Sequence, residues 1–230
     1  MRVVLVPGFT QRASSWDSVT SWSPLALDAD LRPLDVPDGL DFAGTASRLG
    51  DEGGRAVYVG YSMGGRLCLQ LALDRPELVE RLVLVSASPG IADPSEAAER
   101  RAADEELAAG IERDGVDAFL DRWLAQPMFA SVPREHADLD ARRTNPVERL
   151  THQLRALGQG AQPSNWERLG DLQVPCALFV GSRDTKYVAI AEQMAEPLRA
   201  NMRVLSERGH ACHLESPGEF ASLLRSWLAG

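Results

Sequence analysis

"AVYVGYSMGGRLCLQLAL", residues 56–73, joins two patterns at one serine. Ala56 to Gly60 is a short apolar run with β-branched and aromatic residues, which predicts a buried strand. From Met63 onward, Leu67, Leu69, Leu71, Ala72 and Leu73 suit a largely buried helix better than an alternating strand. Between the two, Gly60-Tyr61-Ser62-Met63-Gly64 fits G-x-S-x-G, a strand–turn–helix motif that raises a nucleophilic serine. A serine on so tight a turn has strained dihedrals, and its neighbours must be small so that the flanking backbones can approach. The Met63 N–H then lies at the start of the helix, free of an intrahelical acceptor, where it can serve an oxyanion.

Working outward, short apolar runs recur at Val3–Val6, Val57–Gly60, Leu82–Ser86, Cys176–Gly181 and Arg203–Leu205, with a further strand at Leu31–Leu34 weakened by Pro33. Helical patterns near Ser15–Trp22, Ala43–Leu49, Met63–Asp74, Tyr187–Leu198 and Gly218–Leu228 separate them. This alternation predicts an α/β fold whose mostly parallel sheet carries helices on both faces. From Asp93 to about Trp166 the alternation stops. "SEAAERRAADEELAAGIERDG", with Ser95 as N-cap, "VDAFLDRWLAQ" and "VERLTHQLRALG" all have helical spacing. A stretch of roughly seventy residues is too long for an ordinary connection. It predicts a helical lid, residues 93–166, inserted between two parts of one core, 1–92 and 167–230, above the carboxyl edge of the sheet where open α/β folds bind ligands.

A serine needs a partner to take its proton. The chain order that goes with this elbow puts an acid next and a histidine last. "CALFVGSRDTKY" supplies Asp184 after an apolar strand, and "RVLSERGHACHLESP" supplies His210 after the last one. Asp171 precedes its strand and is the weaker acid. His136 and His152 fall in the helical stretch, and His213 lies one helical turn after His210; each reads as a surface or packing residue. A second oxyanion donor belongs on the loop after the first strand. There "VLVPGFT" offers the Phe9 N–H, whereas Pro7 has none.

Across 230 residues the formal charge is −9, with 44% hydrophobic and 25% charged residues. That balance suits one soluble domain and argues against nucleic acid or an anionic membrane as a partner. The apolar run of "MRVVLVPGFT" is too short for a signal peptide, and no stretch approaches a membrane span. Cys68, Cys176 and Cys212 have neither disulfide nor metal spacing, so a cytoplasmic protein with no metal and no cofactor is expected.

Four stretches carry a family likeness: "GYSMGGR" (60–66), "WLAQPMFAS" (123–131), "GSRDTKY" (181–187) and "GHACHLESP" (209–217). Over nearly its whole length the chain resembles the α/β-hydrolase superfamily, and within it the 2-succinyl-6-hydroxy-2,4-cyclohexadiene-1-carboxylate (SHCHC) synthases of menaquinone biosynthesis. The resemblance implies a carbon–oxygen lyase that removes a proton and expels pyruvate, with Ser62, His210 and Asp184 acting as a base system and an oxyanion hole holding enolate-like charge. It implies a small polycarboxylate substrate held by Arg66, Arg100 and Arg142, with Arg101 and Arg143 adjacent and competing for the last two assignments. Tyr61, Trp123, Phe129 and Lys186 match pocket residues. Two departures stand out: Pro7-Gly8 where many relatives carry His-Gly, and "LDVPDGLDF" (34–42) where relatives have a glycine-rich loop. The same triad also serves a carboxylesterase or carbon–carbon-bond hydrolase with Ser62 as covalent nucleophile.

Overall fold

The computed structural model describes residues 1–22 and 28–230. Six strands, β1 (Arg2–Val6), β2 (Asp30–Pro33), β3 (Ala56–Tyr61), β4 (Val79–Val85), β5 (Cys176–Gly181) and β6 (Asn201–Leu205), form one sheet in the order β2-β1-β3-β4-β5-β6. Every neighbouring pair is parallel. Parallel strands need crossovers. They are supplied by α1 (Phe42–Gly53), α2 (Met63–Asp74), α3 (Pro94–Leu124), α4 (Val147–Leu157) and α5 (Thr185–Ala195), and α6 (Pro217–Ala229) follows the last strand.

The inner strands β1, β3, β4 and β5 are buried and apolar over most of their length because each is covered on both faces, whereas the edge strands β2 and β6 carry exposed Asp30, Arg32, Asn201 and Arg203. Val4, Val6, Tyr58, Leu82, Leu84, Leu178 and Val180 pack with α1, α2 and α5 through Leu49, Leu67, Leu71 and Met194. The alternate residues Val3, Leu5, Val57, Val59, Val83, Val85 and Phe179 pack with Trp16 and with Phe220 and Leu224 of α6. A period of two thus splits each strand between two cores. Pro33 is tolerated because β2 pairs only with β1, so its missing N–H interrupts no second ladder.

Some boundaries differ from expectation. The first helical segment is a 3₁₀ turn, Ala13–Trp16, followed by a single α turn, Asp17–Thr20. β4 begins at Val79, and Ser86 lies beyond it at φ 47°, buried. Asp93, not Ser95, caps α3: its carboxylate accepts from the Ser95 and Glu96 amides at 2.8 and 2.9 Å, and Pro94 occupies the first helical position. α3 breaks at Gly115, whose φ of 80° leaves the helical region.

The residues between β4 and β5 form helices, with a third core of their own. Ala108 and Ile111 of the first half of α3, Phe119 and Leu120 of the second, and Leu150 and Leu154 of α4 pack together. Outside this core, Arg155 of α4 clamps both Glu105 and Glu112 of α3. The three cysteines are buried and free, and burial pushes each thiol up, away from reactivity. Among the described residues no helix is long and apolar enough to cross a membrane.

Candidate active site

Ser62 sits between β3 and α2 at φ 50°, ψ −110°, a conformation that costs a side-chain-bearing residue about 1–3 kcal/mol. The surroundings hold it there: its amide donates to Val85 O at 2.8 Å, and its carbonyl accepts from the Arg66 amide at 3.0 Å. A Cβ on Gly60 would meet Gly64 O at 2.5 Å, and one on Gly64 would meet Val6 O at 2.3 Å. Both glycines of the motif are therefore required by close backbone approach.

Asp184 and His210 come from neighbouring loops joined by backbone hydrogen bonds. Ser182 N donates to Leu205 O at 2.9 Å and Arg183 N to Arg208 O at 2.8 Å. A Cβ on Gly181 would strike Gly209 O at 2.2 Å, so glycine lets the two loops touch. Asp184 occupies the N-cap position of α5 but makes no capping bond. Its carboxylate turns instead to His210 Nδ1 at 2.6 Å, and His210 Nε2 lies 3.2 Å from Ser62 Oγ. With Nδ1–H donating to the carboxylate, Nε2 is left to accept from the serine hydroxyl. The imidazole is 2% exposed and ringed by Tyr61, Phe129 and Tyr187.

On the oxyanion side, Met63 opens α2, so its amide lacks an intrahelical partner. The Phe9 loop is held by a residue that the sequence pattern did not single out. Gln11 is 2% exposed, and its Oε1 accepts from Gly8 N at 2.8 Å, which fixes the Pro7-Gly8-Phe9 turn. The Phe9 ring packs edge-on against Phe119 and Trp123, tying this loop to α3.

Ser62, Asp184 and His210 line a cavity of about 470 Å³ together with Phe9, Tyr61, Met63, Arg66, Arg100, Trp123, Phe129, Arg142 and Lys186. All twelve sequence-selected site residues thus meet in one place. Arg101 and Arg143 do not reach it: Arg101 donates to Gly160 O, and Arg143 faces Asp117 in an exposed pair. Arg66 is 5% exposed, donates to Gln162 Oε1 at 3.0 Å and lies over the Phe42 ring. Arg142 is 3% exposed and donates to Ala137 O at 2.7 Å and to the Thr10 hydroxyl. Among the described residues neither has a carboxylate within ion-pair distance. Burial pushes both guanidinium groups down to about 10, so both are charged at neutral pH. Arg100 differs, being paired with Asp104 at 2.8 Å and Gln159 at 3.0 Å. Lys186 is exposed at the rim, above the Tyr187 ring.

The remaining candidates fall elsewhere. Asp171 is exposed at the end of a 3₁₀ turn before β5. His136 is hydrogen bonded to Leu214 O and His152 to Leu40 O. His213 is fully buried between Trp16 and Tyr61, and desolvation holds it well below its ordinary value, so it is a neutral packing group. Tyr187 and Gln159 were not selected from sequence, yet both line the cavity, with Gln159 Nε2 donating to the tyrosine oxygen at 2.6 Å. The loop 34–42, which lacks the glycine-rich pattern, is anchored by Arg149 of α4 through Asp38 and through Val36 O at 2.9 Å.

Comparison with known proteins agrees with this fold. The model of the alpha/beta hydrolase family matches residues 3–223. The chain is 36% identical over 181 residues to a putative SHCHC synthase of Bacillus subtilis, covering 76% of this chain and 66% of that protein. It is 32% identical over 177 residues to the SHCHC synthase of Serratia proteamaculans, covering 76% and 68%. The matched region therefore spans about two thirds of these relatives. Among solved structures, MenH from S. aureus superposes with a TM-score of 0.91 at 27% identity, covering all of this chain and 93% of that one.

Proposed function

The chain belongs to the alpha/beta hydrolase family, and we propose that it is a carbon–oxygen lyase that eliminates pyruvate from a succinyl-cyclohexene polycarboxylate in menaquinone biosynthesis, as an SHCHC synthase. The observation that carries this reading is the pair of buried, carboxylate-free guanidinium groups, Arg66 and Arg142, on the same cavity as Ser62. An uncompensated buried cation is costly, and a polycarboxylate ligand offsets that cost with bidentate hydrogen bonds. A pocket for simple esters gains nothing from it.

In this reading His210 Nε2 takes the Ser62 proton, and Ser62 Oγ removes the proton from the ring carbon bearing the succinyl group. The electron pair moves onto the succinyl ketone oxygen, where the Met63 and Phe9 amides stabilise the enolate. Return of that charge shifts the ring double bond and breaks the carbon–oxygen bond to the enolpyruvyl group. Pyruvate departs as its enolate and is protonated. No water is consumed and no acyl-serine forms. Asp184 orients the imidazole and stabilises its cation. Residues 93–166 act as a lid between the core parts 1–92 and 167–230, and must open to admit substrate.

The test is turnover of the succinyl-cyclohexene substrate by the purified protein, followed as pyruvate release. Pyruvate without a trappable acyl-enzyme supports the lyase. Efficient cleavage of simple esters through acyl-Ser62, with no pyruvate, replaces it by a carboxylesterase.

A further inference from the structure

His210 stands in a loop that a side chain closes into a ring. Glu215 ends the single helical turn Cys212–Glu215, and its Oε2 accepts from Gly209 N at 2.7 Å. Gly209 is the residue directly before His210. Inside the ring, Leu214 N and Glu215 N both donate to Ala211 O, at 2.8 and 3.0 Å. His210 is thus held by a side-chain clamp on one side and by backbone hydrogen bonds on the other.

The bond from Gly209 N caps no helix and joins no strand, because Gly209 lies between β6 and that helical turn. Its effect is confined to the path of the chain through Gly209 and His210. That path has little room: a Cβ on Gly209 would meet Glu215 Oε1 and Ser131 Oγ, both at 3.1 Å, and Met128 O at 3.4 Å. Precision matters here because His210 must reach two partners at once, Asp184 at 2.6 Å and Ser62 at 3.2 Å. A misplacement of about 1 Å can cost on the order of a hundredfold in rate. A bond from an amide to a carboxylate is roughly twice as strong as one between neutral groups, which suits a clamp.

We infer that Glu215 is a positioning residue whose carboxylate, through Gly209 N, fixes the backbone from which His210 reaches both Asp184 and Ser62. Glu215 does not line the cavity, so it acts only through His210. The inference rests on the base system of the proposed function, and is indifferent to whether that system serves a lyase or an esterase. What Glu215 supplies is an acceptor oxygen for Gly209 N. A glutamine at this position keeps that oxygen without the charge, whereas alanine and leucine remove it.

The experiment compares the wild type, Glu215→Gln, Glu215→Ala and Glu215→Leu. Two readouts are taken: kcat and KM per folded protein, and the far-downfield proton resonance of the bond between His210 Nδ1 and Asp184, assigned by its loss in Asp184→Asn. Glu215→Ala and Glu215→Leu should lower kcat on the order of tenfold to a hundredfold with KM nearly unchanged, and should shift or abolish the resonance. Glu215→Gln should stay within about threefold of the wild type and keep the resonance. A side chain that only stabilised the fold would change the folded fraction and neither readout. Wild-type kcat and resonance in folded Glu215→Ala or Glu215→Leu therefore overturn the inference. So does a Glu215→Gln variant as impaired as Glu215→Ala, which would assign the effect to charge and not to the bond. No pyruvate from the wild type ends the lyase reading alone, and the resonance still decides the role of Glu215.

Discussion

The floor of the cavity and its helical wall are built on opposite principles. On the floor, Ser62, His210 and Asp184 form a closed hydrogen-bond chain. Beside it, the buried guanidinium groups of Arg142 and Arg66 make hydrogen bonds to neutral groups only, with no carboxylate among the described residues within ion-pair distance. The floor is hydrogen bonded within the protein itself. The guanidinium groups beside it have no anionic partner among the described residues. Machinery that must be correct before substrate arrives is satisfied internally, whereas recognition groups keep their charge in reserve at a cost in stability.

The sharpest way to break this contrast is at the floor. Ser62→Ala and His210→Ala should each lower kcat by on the order of a thousandfold or more, with circular dichroism and melting temperature little changed. A variant that retains most activity ends the proposed role of that residue. Asp184→Asn should cost on the order of a hundredfold to ten-thousandfold through loss of imidazole orientation, while Asp171→Asn should match the wild type in the same assay. The reverse pattern would transfer the acid role to Asp171.

At the wall the two effects should oppose each other. Arg66→Met and Arg142→Met should each cost about 2–5 kcal/mol of transition-state stabilisation toward a polycarboxylate. Each should also raise unfolding stability by about 1–3 kcal/mol in denaturant titrations, because an uncompensated buried charge is removed. Burial lowers both guanidinium values to about 10, so each penalises the folded state fully below that pH and less above it. The stability gain of the methionine variants should therefore shrink as pH rises past about 10, and the wild-type KM for a polycarboxylate should climb over the same interval. Loss of stability in both variants would show that these arginines hold the fold instead of awaiting a ligand.

The smallest effect belongs to Gln11. Gln11→Met removes the acceptor for Gly8 N, loosens the Phe9 turn and should lower kcat about tenfold with KM nearly unchanged. A change in KM alone would assign Gln11 to binding and not to the oxyanion turn.

Much of the molecule is local in origin and was legible residue by residue. The elbow at Ser62, the helix Met63–Asp74 and the strand Cys176–Gly181 match expectation at both ends, since each is bounded by glycines or by an abrupt change of hydrophobic period. The cap of α3 lies two residues before the expected Ser95 because Asp93 and Ser95 are both capping types, and only the backbone path selects Asp93. Ser15–Trp22 looked like one helix because apolar spacing does not distinguish a 3₁₀ turn from the start of an α turn. The glutamines at 11 and 159 left no mark on any pattern, since an uncharged polar residue signals nothing until its burial is known.

The sequence by itself determined the fold class and picked out the serine, acid and histidine that the structure joins by hydrogen bonds, because steric need for glycine and a fixed order of strand and helix are written in short stretches of chain. Only the tertiary structure decided which of two adjacent arginines faces the cavity, Arg100 over Arg101 and Arg142 over Arg143. Neighbours on a helix point about 100° apart, and which direction is inward depends on what packs against that helix from distant parts of the chain. The same packing strips water from Arg66 and Arg142 and so makes the absence of a carboxylate beside them, among the described residues, consequential.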